Sequence, residues 1–164
     1  MPPNKIYIHY LHQLRKLLLK IEQHNPAIFN ERLCDDMFPL LQQARTAVGF
    51  TLRSCCPLAG REIVSFAEGD YTLANLLQEI DQTVEYLSNF TPDDFQQAES
   101  VSVNTVAGFA EITLPGEEYF LMDSLPNFFF HYNMVYAIAR KAGMVIGKAD
   151  YDGYHQYPEG FRFS

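Results

Sequence analysis

The sequence contains no tryptophan, and only three of its 164 residues are cysteine. Cys34, Cys55 and Cys56 form an odd set, two of them adjacent, with no spacing that suits a disulfide framework. Positive charge is scarce: 12 Lys and Arg stand against 20 Asp and Glu, for a formal net charge of −8. A surface of that sign does not hold nucleic acid or anionic lipid over a broad face. Long apolar runs are missing too. The longest stretch free of Asp, Glu, Lys and Arg, Ser124 to Ala139, is broken by Asn127, His131 and Asn133 and is too short and polar to span a bilayer. The first residues lead into an amphipathic stretch holding Arg15, Lys16 and Lys20, with no signal peptide visible. These absences predict a soluble, cytoplasmic protein with neither a nucleic-acid nor a membrane partner.

What the sequence does have is apolar mass. Hydrophobic residues make up 48% and charged residues 20%, enough for one sizeable core and against disorder as the dominant state. Thirteen Phe and ten Tyr supply the aromatic 14%, many of them late in the chain.

Apolar positions recur at helical spacing in four places. In the first, from about Asn4 to His24, Tyr7, Leu11, Leu14, Leu18 and Ile21 form one stripe, and Asn25-Pro26 ends it. The second is expected to start near Asp35 or Asp36 as cap, with Pro39 in its first turn. Its stripe is Met37, Leu41, Ala44, Val48, Thr51 and Cys55, and Pro57 and Gly60 close it. The third runs from about Thr72 to Asn89, capped by Thr72 or Asp70. The fourth runs from about Leu125 to Ala142, with Ser124 as cap and Gly143 as stop. It is apolar nearly all round, which suits either the centre of a bundle or an oligomer seam. Between the third and fourth, Val101 and Val103 alternate with polar residues, as do Ile112 and Leu114, across a turn at Ala107-Gly108. That pattern is a short β-hairpin. The expected fold is therefore all-α: a four-helix bundle over residues 1–153, a small hairpin between helices three and four, and an irregular aromatic tail over 154–164.

Few residues carry obvious chemistry. His131 lies four residues after Asn127, so both share one helix face, which continues with Met134, Val135 and Ile138. A histidine there is either a hydrogen-bonded core residue or part of a polar pocket, and bundle cores also host metals. His24 follows Leu14, Leu17 and Ile21 at helical spacing and either points inward or interacts with the negative end of its helix dipole. His9 and His12 are three apart but lack a third ligand. Cys55 and Cys56 are expected as buried thiols. Gly143 to Lys148 is one residue short of a phosphate loop and follows a helix, so it is rejected, and the charges of Asp35-Asp36 and Glu117-Glu118 are assigned to helix starts.

At the fourth helix the residues become recognisable. Leu125-Pro126-Asn127-Phe128-Phe129-Phe130-His131, Tyr136-Ala137-Ile138-Ala139-Arg140, Gly143, Gly147-Lys148 and Asp150-Tyr151 resemble the signature of a bacterial domain-of-unknown-function family in the DinB/YfiT-like four-helix-bundle superfamily. Asp36-Met37-Phe38-Pro39-Leu40 with Gln43, and the Thr72, Leu76, Ile80, Thr83 spacing, are similar too. The resemblance implies a bundle that is commonly a homodimer. It also implies a place where better-known members hold a divalent metal with three histidines, some of them acting as thiol-dependent transferases. Against that set His131 falls on one histidine, Asn127 on a second, and Gln42 or Gln43 on the one from helix two. The expectation that follows is a metal-free bundle with no cofactor and a small-molecule pocket around His131, Asn127, Gln43, His24 and Tyr136. The alternative is a transferase or hydrolase, metal-dependent (Ni, Zn or Fe on His131 and a rearranged ligand set) or thiol-dependent. A further alternative is a non-catalytic interaction module whose aromatic tail docks a partner.

Overall fold

The computed structural model describes residues 2–158 together with 160 and 161. The long helices are α1 (Pro3–His24), α2 (Leu40–Leu58), α3 (Leu73–Ser88) and α4 (Leu125–Lys141). A two-stranded antiparallel hairpin, β1 (Ser102–Ala107) and β2 (Ala110–Pro115), lies between α3 and α4, and a short helix α5 (Lys148–Asp152) follows. The chain is mostly helical, and the expected small hairpin lies between the third and fourth long helices. The aromatic tail over 154–164 begins just after α5, which Gly153 closes at φ 74. Phe163, counted with that tail, lies outside the described residues.

The stripe positions of α1 are where the sequence puts them: Tyr7, Leu11, Leu14, Leu18 and Ile21 are fully buried. Thr72 caps α3, its Oγ1 accepting from the Asn75 backbone N–H at 3.2 Å. The start of α2 is different. Asp35 and Asp36 sit in an exposed turn, and the helix begins only at Leu40, after Pro39 in extended backbone with no side-chain cap. Arg32 bonds the Met37 carbonyl and holds that turn, so the acidic pair serves no helix start. The fourth helix also differs. Ser124 does not cap it, because α4 continues backwards through a π-helical segment, Tyr119–Ser124, into a helical turn, Gly116–Glu118. The Ser124 hydroxyl lies 2.9 Å from that of Ser54 in the core. Gly116 is required at this entry, since a Cβ there would stand 1.8 Å from the Ala98 carbonyl oxygen.

Pairings across the bundle fix its topology. Asn4 donates to the Leu87 and Phe90 carbonyls and Arg15 pairs with Asp81, so α1 and α3 are antiparallel. Gln43 meets His131 and Ser54 meets Ser124, so α2 and α4 are antiparallel as well and form the most extensive helix pair. Arg45 on α2 pairs with Glu79 on α3, while Cys56 further along α2 lies beside Tyr86 further along α3. α2 and α3 therefore run in the same direction, and the connection between them, about 59–72, must travel back along the bundle.

The late aromatics sit mostly between α1 and α4. Tyr7 and Tyr10 meet Phe128 at ring separations of 5.1 and 6.3 Å, Phe129 lies 4.9 Å from Tyr10, and Tyr132 is 4.8 Å from Tyr151. Most of these pairs are edge-to-face, which suits the ring quadrupole. Cys55 and Cys56 are fully buried and Cys34 is exposed. No helix among the described residues is long and apolar enough to cross a membrane.

Candidate functional site

His131 is half-buried on α4, and its Nδ1 lies 2.7 Å from Oε1 of Gln43 on α2. The Gln43 side chain is 2% exposed and its Nε2 donates, at 3.4 Å, to the Phe38 carbonyl. That second contact orients the amide: its nitrogen faces a carbonyl, so its oxygen faces the imidazole. An amide oxygen only accepts, so Nδ1 carries the proton and Nε2 holds a lone pair. No other hydrogen bond reaches the ring among the described residues.

Aromatic rings enclose the imidazole. Phe38 and Phe50 lie near-parallel to it, with centroids 6.3 and 5.7 Å away, and Phe130 meets it edge-on at 5.2 Å. Arg53, one turn along α2 from Phe50, places its guanidinium 4.6 Å from the Phe50 ring centre. Burial lowers the His131 pKa below its ordinary 6.5, and the positive charge of Arg53 lowers it further. The ring is neutral at pH 7 for both reasons.

The other expected pocket residues do not join this pair. Asn127 shares the face but turns back on its own helix, its Nδ2 donating to the Asp123 carbonyl at 2.8 Å. Tyr136 sits on another face, where its hydroxyl donates to the Ile146 carbonyl at 3.5 Å and its ring meets Tyr151. His24 is exposed in the last turn of α1 and makes no contact with the group, so the inward orientation is corrected to the helix-end one. His9 bonds the Asp152 carbonyl at 2.7 Å and stacks on Tyr154. Among the described residues no three His, Cys, Asp or Glu side chains are grouped as metal ligands. A three-histidine centre does not fit what lies at the place the resemblance indicates: one histidine, an amide already bonded to it, and an asparagine bonded elsewhere.

Sequence reasoning missed Phe38, Phe50 and Arg53. The available signal was on α2, where Phe50 and Arg53 are three residues apart and therefore neighbours. Nothing in the sequence marks Phe38 as reaching His131.

A profile of the family described as a domain of unknown function, DUF1993, matches residues 4–152. A crystal structure of a DinB family member protein from Shewanella denitrificans is similar to this chain at 26% identity with a TM-score of 0.80. The match covers 94% of this chain and 91% of that one. No curated protein matches the chain.

Proposed function

The chain belongs to the DUF1993 family and is DinB-like in fold, and from that premise we propose that it is a small-molecule-binding bundle that uses His131 as a neutral hydrogen-bond acceptor, without a transition metal. The observation that carries this reading is the 2.7 Å contact between His131 Nδ1 and Gln43 Oε1. It commits one ring nitrogen to a neutral amide and leaves the lone pair on Nε2 to meet a ligand. A planar ligand with an N–H or O–H donor fits such a place, because Phe38 and Phe130 around the imidazole remain 43% and 50% exposed. Rings with exposed faces offer stacking as well as shape.

Metal content tests the reading. Protein purified without a histidine tag is expected to carry Ni, Zn and Fe at background level. Near-stoichiometric metal, lost in His131→Ala, would overturn it. A thermal-shift screen supplies the positive arm. Ligands with a planar donor group raise the Tm of the wild type but not of His131→Ala, by mass action on the folded state.

A further inference from the structure

A second cleft lies beside Arg53. It is bounded by α2 and by the returning connection between α2 and α3, and its volume is about 450 Å³, within the range of about 300–1,000 Å³ typical of small-molecule sites. Two arginines line it and have opposite situations. Arg45 is fully engaged: its Nε meets Glu79 Oε2 at 2.9 Å, its Nη2 donates to the Glu68 carbonyl at 3.0 Å, and Tyr71 covers its guanidinium. Arg53 has no carboxylate partner among the described residues of a chain with net charge −8. Its guanidinium rests only on the Phe50 ring.

The guanidinium lies close over its own helix. Gly49 sits one turn before Arg53 in mid-helix. A Cβ at Gly49 would stand 3.4 Å from Arg53 Nη2. Around the free guanidinium the walls are of mixed character. Leu52, Val64 and Ala67 are apolar, Ile63 and Tyr71 are more than half exposed, and the Ser65 hydroxyl accepts from the Ala67 backbone N–H at 3.3 Å while its own hydrogen stays available.

We propose that this cleft is an anion site, distinct from the His131 niche, which takes a small monocarboxylate with an apolar body on Arg53. A guanidinium fork matches a carboxylate in two parallel hydrogen bonds. The charge balance selects a monoanion: Glu79 cancels Arg45, and Arg53 alone remains. A dianion such as phosphate meets that single charge with Glu79 and Glu68 close by and has no use for the apolar walls.

The test is an amide NMR titration of the full chain with benzoate at constant ionic strength, repeated with inorganic phosphate. Benzoate is expected to shift the amides of residues 49–53 and 63–67 saturably and to bind more tightly than phosphate. Arg53→Gln, an exposed substitution that leaves the fold intact, weakens benzoate at least tenfold. His131→Ala leaves it unchanged. Equal titrations in wild type and Arg53→Gln, phosphate binding as tightly as benzoate, or no saturable shift would each overturn the proposal. Benzoate binding lost in His131→Ala and kept in Arg53→Gln would overturn it too, by placing the anion in the other niche.

Discussion

Two faces of α4 are both built from aromatic rings, and they behave differently. On the face toward α1, Tyr7, Phe128 and Tyr132 are fully buried, and the Tyr132 hydroxyl donates to the Tyr151 carbonyl at 2.6 Å. On the face toward α2, rings surround His131 but two of them keep exposed edges, and the polar group at the centre has one committed nitrogen and one free. The first arrangement uses rings for area and fixes the Tyr132 hydroxyl on backbone. The second leaves rings exposed and one imidazole nitrogen without a partner among the described residues. Aromatic content alone therefore does not distinguish core from site; what distinguishes them is whether the rings are sealed or stay exposed around a polar group.

The largest expected break of this contrast is Phe128→Ala. Truncating a fully buried ring in the sealed layer costs about 3–5 kcal/mol, read as a lower urea midpoint with unchanged slope. Gln43→Leu comes next. It removes the acceptor from the His131 Nδ1–H, and a buried donor left unsatisfied costs about 1–3 kcal/mol. The same variant releases the ring tautomer, which NMR of the imidazole nitrogens reads directly. A smaller effect is pH-dependent. Because the folded pKa of His131 lies below the unfolded value of 6.5, the unfolded chain gains the proton first on acidification. The stability due to the neutral ring is fully present above pH 6.5 and is lost as the pH falls towards the folded pKa. Urea midpoints at about pH 7.5 and about pH 5.5, either side of the ordinary histidine value, should differ more in wild type than in His131→Gln. Phe130→Ala, at the open edge, is expected to stay within about 0.5 kcal/mol of wild type, while weakening any planar ligand of the niche. A stability loss as large as that of Phe128→Ala would erase the distinction between the two faces.

Much of the bundle was legible in residue spacing. The stripes of α1 and α3 and the alternation of the hairpin place their elements within a few residues, because burial on one face imposes a period that survives in the sequence. The start of α2 was not legible. Asp35, Asp36 and Pro39 each look like a start signal, and only the Arg32 contact with the Met37 carbonyl shows that Asp35 and Asp36 lie in a turn ahead of the helix. The π-helical entry to α4 leaves no local pattern, since its cause is long-range: Ser54 draws Ser124 inward, and Ala98 crowds Gly116. For the site, the pairing of Gln43 with His131 joins residues 88 apart in sequence. Periodicity puts each on a helix but cannot pair them; the family resemblance did. It could not show that Asn127 would turn away to Asp123, a choice made by the adjacent turn of its own helix.

The imidazole nitrogens of His131 carry the central claim, and long-range nitrogen–proton NMR at pH 7, with and without one equivalent of Zn²⁺, tests it most directly. The account predicts a neutral ring protonated at Nδ1, with a spectrum unchanged by the metal. A ring protonated at Nε2, or a resonance moved stoichiometrically by Zn²⁺, would contradict it.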